Sequence, residues 1–258
     1  MKSCKTNFPY VECKDLGNDN YLHLINIAKI DLKLEKFIDE NIVNICAGKA
    51  DTDLCVVKKR LISFLTPKKG KTSEMGSIAE FFTHLYLKEI GFNQEFLFLN
   101  LEEESLKKGF DGYYSYQNET WIYESKSGSS NTKDISHPKK VKESYNDLNN
   151  KISGNTKNNP WQNAYNHARH GDVGSIADVY KKLNKLSEEF TNKKFHNIKD
   201  FNIIPGSTIF MNGNWLDIKL SDIESEIESL VLKFNFKKIH IICVNKKSME
   251  LFWDYLNK

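Results

Sequence analysis

The chain has 258 residues, 40% of them hydrophobic and 12% aromatic, enough apolar surface for one elaborated α/β domain or a domain with a helical appendage. Charged residues make up 28%, and no apolar run approaches the length of a membrane span, so a soluble protein with no membrane partner is expected. A net charge of +3 is too small to identify a nucleic-acid binder by itself, and Arg60 and Arg169 are the two arginines among otherwise lysine basic residues. The start, Met1-Lys2-Ser3-Cys4-Lys5, has no apolar signal core, and cysteines 4, 13, 46, 55 and 243 form no C-x-x-C pair. A cytoplasmic protein with reduced thiols and no structural zinc is the expectation.

In chain order, residues 1–20 read as an irregular lead or a short strand. Apolar spacing at Leu22, Ile25, Ile27, Ile30, Leu34 and Ile38 predicts a helix over about 21–44. A shorter helix follows near 51–65, closed by Pro67-Lys68-Lys69-Gly70. A strongly periodic helix opens at Thr72 and runs to about Ile90, where Gly91 stops it, with Ile78, Ala79, Phe82, Leu85 and Tyr86 as its core stripe. Residues 95–101 read as a strand, followed by two more at about 108–116 and 120–127 with Gln117-Asn118-Glu119 turning the chain between them. A polar helix is predicted over 138–152, then a loop over 154–160 and a mainly helical stretch over 161–196, capped near Asp172 or Ser175. A strand at 207–211, a helix from Ser221 to about Phe234, a buried strand at 239–244 and a last helix near 247–257 complete the chain. No internal repeat or low-complexity segment interrupts it.

The chemistry concentrates in Gly109-Phe110-Asp111-Gly112-Tyr113 and Trp121-Ile122-Tyr123-Glu124-Ser125-Lys126-Ser127-Gly128. Successive side chains on a strand point to opposite faces, so Glu124 and Lys126 project together while Tyr123 and Ser125 face away. Antiparallel pairing of the two segments brings Asp111 beside Glu124. Two carboxylates at one point repel unless a cation lies between them, and hard oxygen ligands with open water positions suit Mg²⁺, for which Mn²⁺ can substitute. The bare acid-x-Lys signature is weak, since random placement gives about five matches in a chain of this composition. Glu12-Cys13-Lys14, Asp31-Leu32-Lys33 and Asp217-Ile218-Lys219 are others. Glu124 differs in lying on an apolar, aromatic strand with an F-D-G upstream; the competing account is a hairpin whose charges face solvent. Glu80 falls near the apolar stripe of its helix, where an acid without a partner is costly, so it is a candidate auxiliary ligand, directly or through water. Glu74 fits better as a first-turn acid favoured by the helix dipole.

Other clusters are weighed alongside. Lys58-Lys59-Arg60, Lys68-Lys69-Lys71 and Lys133, Lys139, Lys140 and Lys142 flank the site in sequence, where they could attract phosphates or simply form a solvated face. His167 and His170, at i and i+3, have no evident third ligand. Trp161, Trp215 and Trp253 are base-stacking or packing residues. No G-x-x-x-x-G-K-[ST] occurs, so ATP hydrolysis by this chain is not expected.

The order of a helix, three strands, then helices and further strands fits an α/β/α sandwich around a mixed sheet, and matches the αβββαβ core of PD-(D/E)XK nucleases. Residues 1–70 form a mainly helical elaboration, residues 71–258 the nuclease-like domain, and about 150–200 a helical insertion. The G-S-I-A-E-F-F helix, the G-F-D-G-Y hairpin and the W-I-Y-E-S-K-S-G strand together resemble the HamA family of nuclease subunits from the Hachiman anti-phage defence system, over residues 70–130. Phe110 stands where the PD signature has proline. The resemblance implies Asp111 and Glu124 as metal ligands, Lys126 as the catalytic lysine and Glu80 as an auxiliary acid, with the Ser125 backbone carbonyl completing the expected metal set. It also implies a helicase partner and DNA as the substrate. The alternative is a catalytically silent module that binds DNA or a helicase.

Overall fold

A computed structural model describes residues 6–99, 109–170 and 177–258, with the side chains of 169, 170 and 177 outside that description. The chain opens on a hairpin of β1 (Val11–Gly17) and β2 (Asn20–Ile27), turned by Asn18 and Asp19 at positive φ of 55° and 59°. This corrects the helix expected from residue 21. The 21–27 segment is a strand whose two faces are both covered, so its apolar residues mimic helical spacing without requiring it. The helix starts later. Asp31 caps α1 (Leu32–Ala47) by accepting the Leu34 amide at 3.0 Å.

Helices α2 (Leu54–Leu65) and α3 (Thr72–Glu89) follow as expected, joined by a 3₁₀ turn at Thr66–Lys68, and Gly91 ends the second with φ of 93°. Next comes the two-residue strand β3 (Asn93–Gln94). The strand expected at 95–101 is absent from 95–99, and 100–101 lie outside the described residues. Phe96, Leu97, Phe98 and Leu99 are buried by packing, not by a ladder. The site hairpin forms at the expected turn, but its first strand is shorter than the expected 108–116 and leaves Asp111 just ahead of it: β4 (Gly112–Tyr116) pairs antiparallel with β5 (Glu119–Ser129) across a turn with Gln117 and Asn118 at positive φ.

Helices α4 (His137–Ile152), α5 (Pro160–His170) and α6 (Ala177–Thr191) occupy the expected helical stretches; the cap anticipated near Asp172 or Ser175 lies outside the described residues. Strand β6 (Asn202–Phe210) begins five residues before its expected start, then come α7 (Leu220–Val231), β7 (Lys238–Lys246) and α8 (Glu250–Leu256).

The seven strands form one mixed sheet in the order β1-β2-β7-β6-β5-β4-β3. Pairings β2–β7, β7–β6 and β6–β5 are parallel, and β1–β2, β5–β4 and β4–β3 antiparallel. One apolar layer joins α1, α2, α3 and α8 to one face through Ile38, Leu61, Phe82 and Phe252. The other joins α4, α5, α6 and α7 to the opposite face through Val141, Leu148, Trp161 and Ile227. The chain is thus an α/β protein with helices on both faces of a mixed sheet. Among the described residues, no helix is long and apolar enough to cross a membrane. Cys46, Cys55 and Cys243 are free, but Cys13 is disulfide-bonded, against the expectation of reduced thiols throughout. Lack of a C-x-x-C motif does not prevent pairing, because only the folded path decides which thiols meet.

Candidate active site

Alternation along β5 divides its side chains. Trp121 and Tyr123 enter the layer beneath α3, and Ile122 enters the layer beneath α4. Glu124 and Lys126 share the α4 side, where Lys126 Nζ lies 3.3 Å from Glu124 Oε1. Glu124 is 3% exposed, and its backbone carbonyl accepts the Ser144 hydroxyl of α4 at 2.6 Å. Asp111 immediately precedes β4, and its Oδ2 accepts both the amide (2.8 Å) and the hydroxyl (3.1 Å) of Ser125. The fold therefore ties Asp111 across to the residue between Glu124 and Lys126.

Electrostatics joins these groups. Burial pushes the Glu124 carboxyl well above the usual carboxylate range, and the Asp111 charge adds to the rise. Burial also raises Asp111, with Glu80 the next contributor, while Lys151 and Lys126 oppose the shift. Burial disfavours the Lys126 ammonium, but Glu124, Asp147 and Asp111 outweigh that and raise its pKa. Asp111 is thus a neighbour whose charge disfavours ionised Glu124, as Glu80 disfavours ionised Asp111.

Helix α4 supplies two groups that sequence reasoning missed. Asp147 Oδ2 accepts from Lys126 Nζ at 2.5 Å, and Lys151 Nζ donates to Glu124 Oε2 at 2.5 Å. Lys151 also stands 3.6 Å from Asp147. Burial works against ionised Asp147, but hydrogen bonds to Glu124 and Lys126 hold it below its ordinary range. The available signal was the i, i+4 pair Asp147/Lys151, which puts an acid and a base on one face of the helix after the strand.

Glu80 faces the other layer. Its Oε1 is 3.2 Å from His84 Nε2, and His84 in turn contacts the Tyr114 hydroxyl, so Glu80 reaches the site through its charge on Asp111. Ser125 enters through its amide and hydroxyl. Among the described residues, no group of three or more His, Cys, Asp or Glu stands close enough to hold a metal ion. Asp111, Glu124 and Lys126 are thus brought into one neighbourhood, and Glu80 acts on it through its charge on Asp111.

The remaining candidates fall elsewhere. His167 packs edge-on against Phe96 in the core, and the His170 side chain lies outside the described residues. Trp161 is buried between Phe110 and Phe201. Trp215 donates to Asp217, and Trp253 to the buried Glu74, which also accepts the Gly70 amide, so Glu74 pins a loop as well as facing a dipole. Several flanking lysines are engaged locally: Lys58 with Asp39, Lys68 over Phe64, Lys69 over Trp253 and Lys140 with Glu143.

Compared with known proteins, the chain matches no family model and no curated protein sequence. Its class rests on the architecture: an α/β fold carrying a buried carboxylate–lysine cluster where β4, β5 and α4 meet.

Proposed function

We propose that this chain is a metal-dependent nuclease of the PD-(D/E)XK type, hydrolysing phosphodiester bonds of DNA with little sequence specificity. The observation that carries the reading is the contact of Glu124 with Lys126 on one face of β5, beside an Asp111 bound to the intervening Ser125. The acids present fit a divalent cation in chemistry: Glu124 is buried and Asp111 half-buried, burial raises both carboxyls, the Asp111 charge raises Glu124 further, and both offer hard oxygens that a cation would stabilise. Asp111, Glu124 and the Ser125 carbonyl would hold Mg²⁺ or Mn²⁺, with Glu80 tuning Asp111 from beneath. The cation, when bound, polarises a phosphoryl oxygen and lowers the pKa of a bound water. Lys126, steadied by Asp147, presents its ammonium to charge developing on the phosphate or orients the attacking water. The role as an anti-phage effector, and control by a helicase partner, rest on the motif resemblance alone.

Cleavage of plasmid and linear DNA with Mg²⁺, Mn²⁺ or EDTA tests the reading. Glu124→Ala should cost about 3–4 kcal/mol of barrier, a rate loss of several hundredfold, and Lys126→Ala should also be impaired. Cutting that survives EDTA and both substitutions sinks it. A second reading, a nuclease-like module that binds DNA or a helicase without cutting, is favoured by the lysine already seated on each oxygen of Glu124. DNA binding with intact metal affinity and no cleavage, partner included, would select it.

A further inference from the structure

Glu124 is nearly sealed from water and carries one ammonium on each oxygen. The two lysines are not equivalent. Lys126 is fixed from behind by Asp147 at 2.5 Å, whereas Lys151 lies 3.6 Å from the same carboxylate. Lys151 also lines a cleft of about 420 Å³ with Gly109, Phe110, Asp111, Asn158 and Asn163. Among the described lining residues of that cleft, Lys151 is the one cation and Asp111 the one anion, and the two carboxamides are neutral donors suited to phosphate or sugar oxygens.

A divalent cation bonded to Glu124 Oε2 needs the lone pairs that Lys151 now occupies. Two cations on one oxygen in a buried site repel strongly, so the ammonium must leave before the metal can settle. Lys151 has somewhere to go, because its stem already borders the cleft. We infer that Lys151 is an exchangeable counter-ion: it neutralises Glu124 in the metal-free protein, and on metal binding it swings into the adjoining cleft to hold a phosphate of the nucleic-acid strand. This deepens the nuclease reading and rests on it. Lys151 is then a residue that couples cation and substrate binding, while Lys126 stays in place.

The test reads metal binding directly, by Mn²⁺ electron paramagnetic resonance titration of the free protein, with Glu124→Gln as the reference for lost binding. Lys151→Met, with Lys151→Gln as a second variant should the first fold poorly, removes the competitor and should tighten Mn²⁺ by about tenfold. Lys151→Arg should stay near wild type. A role in packing alone would not tighten metal binding. The second arm compares affinity for duplex DNA and for inorganic phosphate with EDTA and with Ca²⁺, chosen to hold turnover down. Wild type should gain duplex affinity with the cation, Lys151→Met should lose most of that gain, and inorganic phosphate should show little of it. Equal Mn²⁺ affinity in wild type and Lys151→Met, or an undiminished duplex gain in the variant, overturns the exchange and leaves the nuclease reading standing. A gain with inorganic phosphate alone overturns the strand assignment. Mn²⁺ bound by neither protein overturns both readings.

Discussion

Two buried charged side chains in this sheet meet opposite fates. Glu124 is surrounded by cations; Lys246, at the end of β7, has 0% exposure, no hydrogen-bond partner for Nζ among the described residues, and the face of Phe82 at 4.4 Å. Burial pulls its pKa down to about 7, with Glu250 opposing weakly. The unfolded chain holds this proton up to about pH 10.5 and the folded one only to about 7, so the unfolded state binds more protons in that window and stability rises with pH across it. Lys246→Met should therefore be more stable than wild type by a few kcal/mol at pH 7, less the lost ring contact, with the advantage vanishing towards pH 10.5. Urea midpoints at several pH values measure this; a pH-independent difference would refute the account. In sequence, Lys246 lies two positions beyond the strand expected at 239–244, and nothing local marks it, because burial is invisible until the strand has neighbours.

At the scale of elements, the site depends on two glycines that leave room for neighbours, a backbone at one and side chains at the other. Gly109 has φ of 79°, and a Cβ there would lie 2.2 Å from the Pro160 carbonyl oxygen of α5. Gly109→Ala should cost about 2 kcal/mol or more, combining a strained φ with a backbone clash, and should slow cleavage by shifting Asp111. A melting curve and the DNA assay check it, and unchanged activity would separate Asp111 from this contact. Gly206 in β6 serves β5 similarly: its added Cβ would meet the Tyr123 ring at 2.9 Å and Ser125 Cβ at 3.1 Å. Pro205 and Gly206 also explain a missed boundary. β6 was expected only from residue 207, and both residue types ordinarily break strands, yet pairing with β5 continues through both, with Pro205 opposite Glu124. By contrast, the β4–β5 hairpin was legible, since its polar turn and alternating residues are local signals.

At the scale of the molecule, buried neutral histidines tie the layers together. His23 on β2 contacts His240 on β7 at 3.1 Å and the Tyr86 hydroxyl on α3 at 2.8 Å, and His137 on α4 contacts Ser207 on β6 at 2.8 Å. Burial depresses His240 to about 3 and His137 to about 4, and holds His23 well below 6.5. The unfolded state takes up protons below pH 6.5 that the folded state refuses, so these groups make stability fall as pH drops from 6.5 towards 3–4. The raised carboxyls Asp111 and Glu124 act in the opposite sense, so the histidine contribution is best read as a difference. His240→Phe should flatten the dependence of unfolding free energy on pH between 4 and 6.5, measured by urea titration; parallel curves would exclude His240 as a source. None of these histidines was singled out in the sequence, where they lie far apart and share no motif.

The sequence alone determined what depends on near neighbours. Helical periodicity placed α2, α3 and α4, turn residues placed the β4–β5 hairpin, and strand alternation put Glu124 and Lys126 on one side. Tertiary structure decided what depends on residues distant in the chain. It made 21–27 a strand by pairing it with β7, and it seated Lys151, 27 positions beyond Glu124, on that carboxylate. It also set the Glu80 charge beside Asp111 and bonded Cys13. The physical reason is that capping, turns and periodicity are set within a few residues, whereas burial and charge pairing are set by whichever segments the fold brings within a few ångströms.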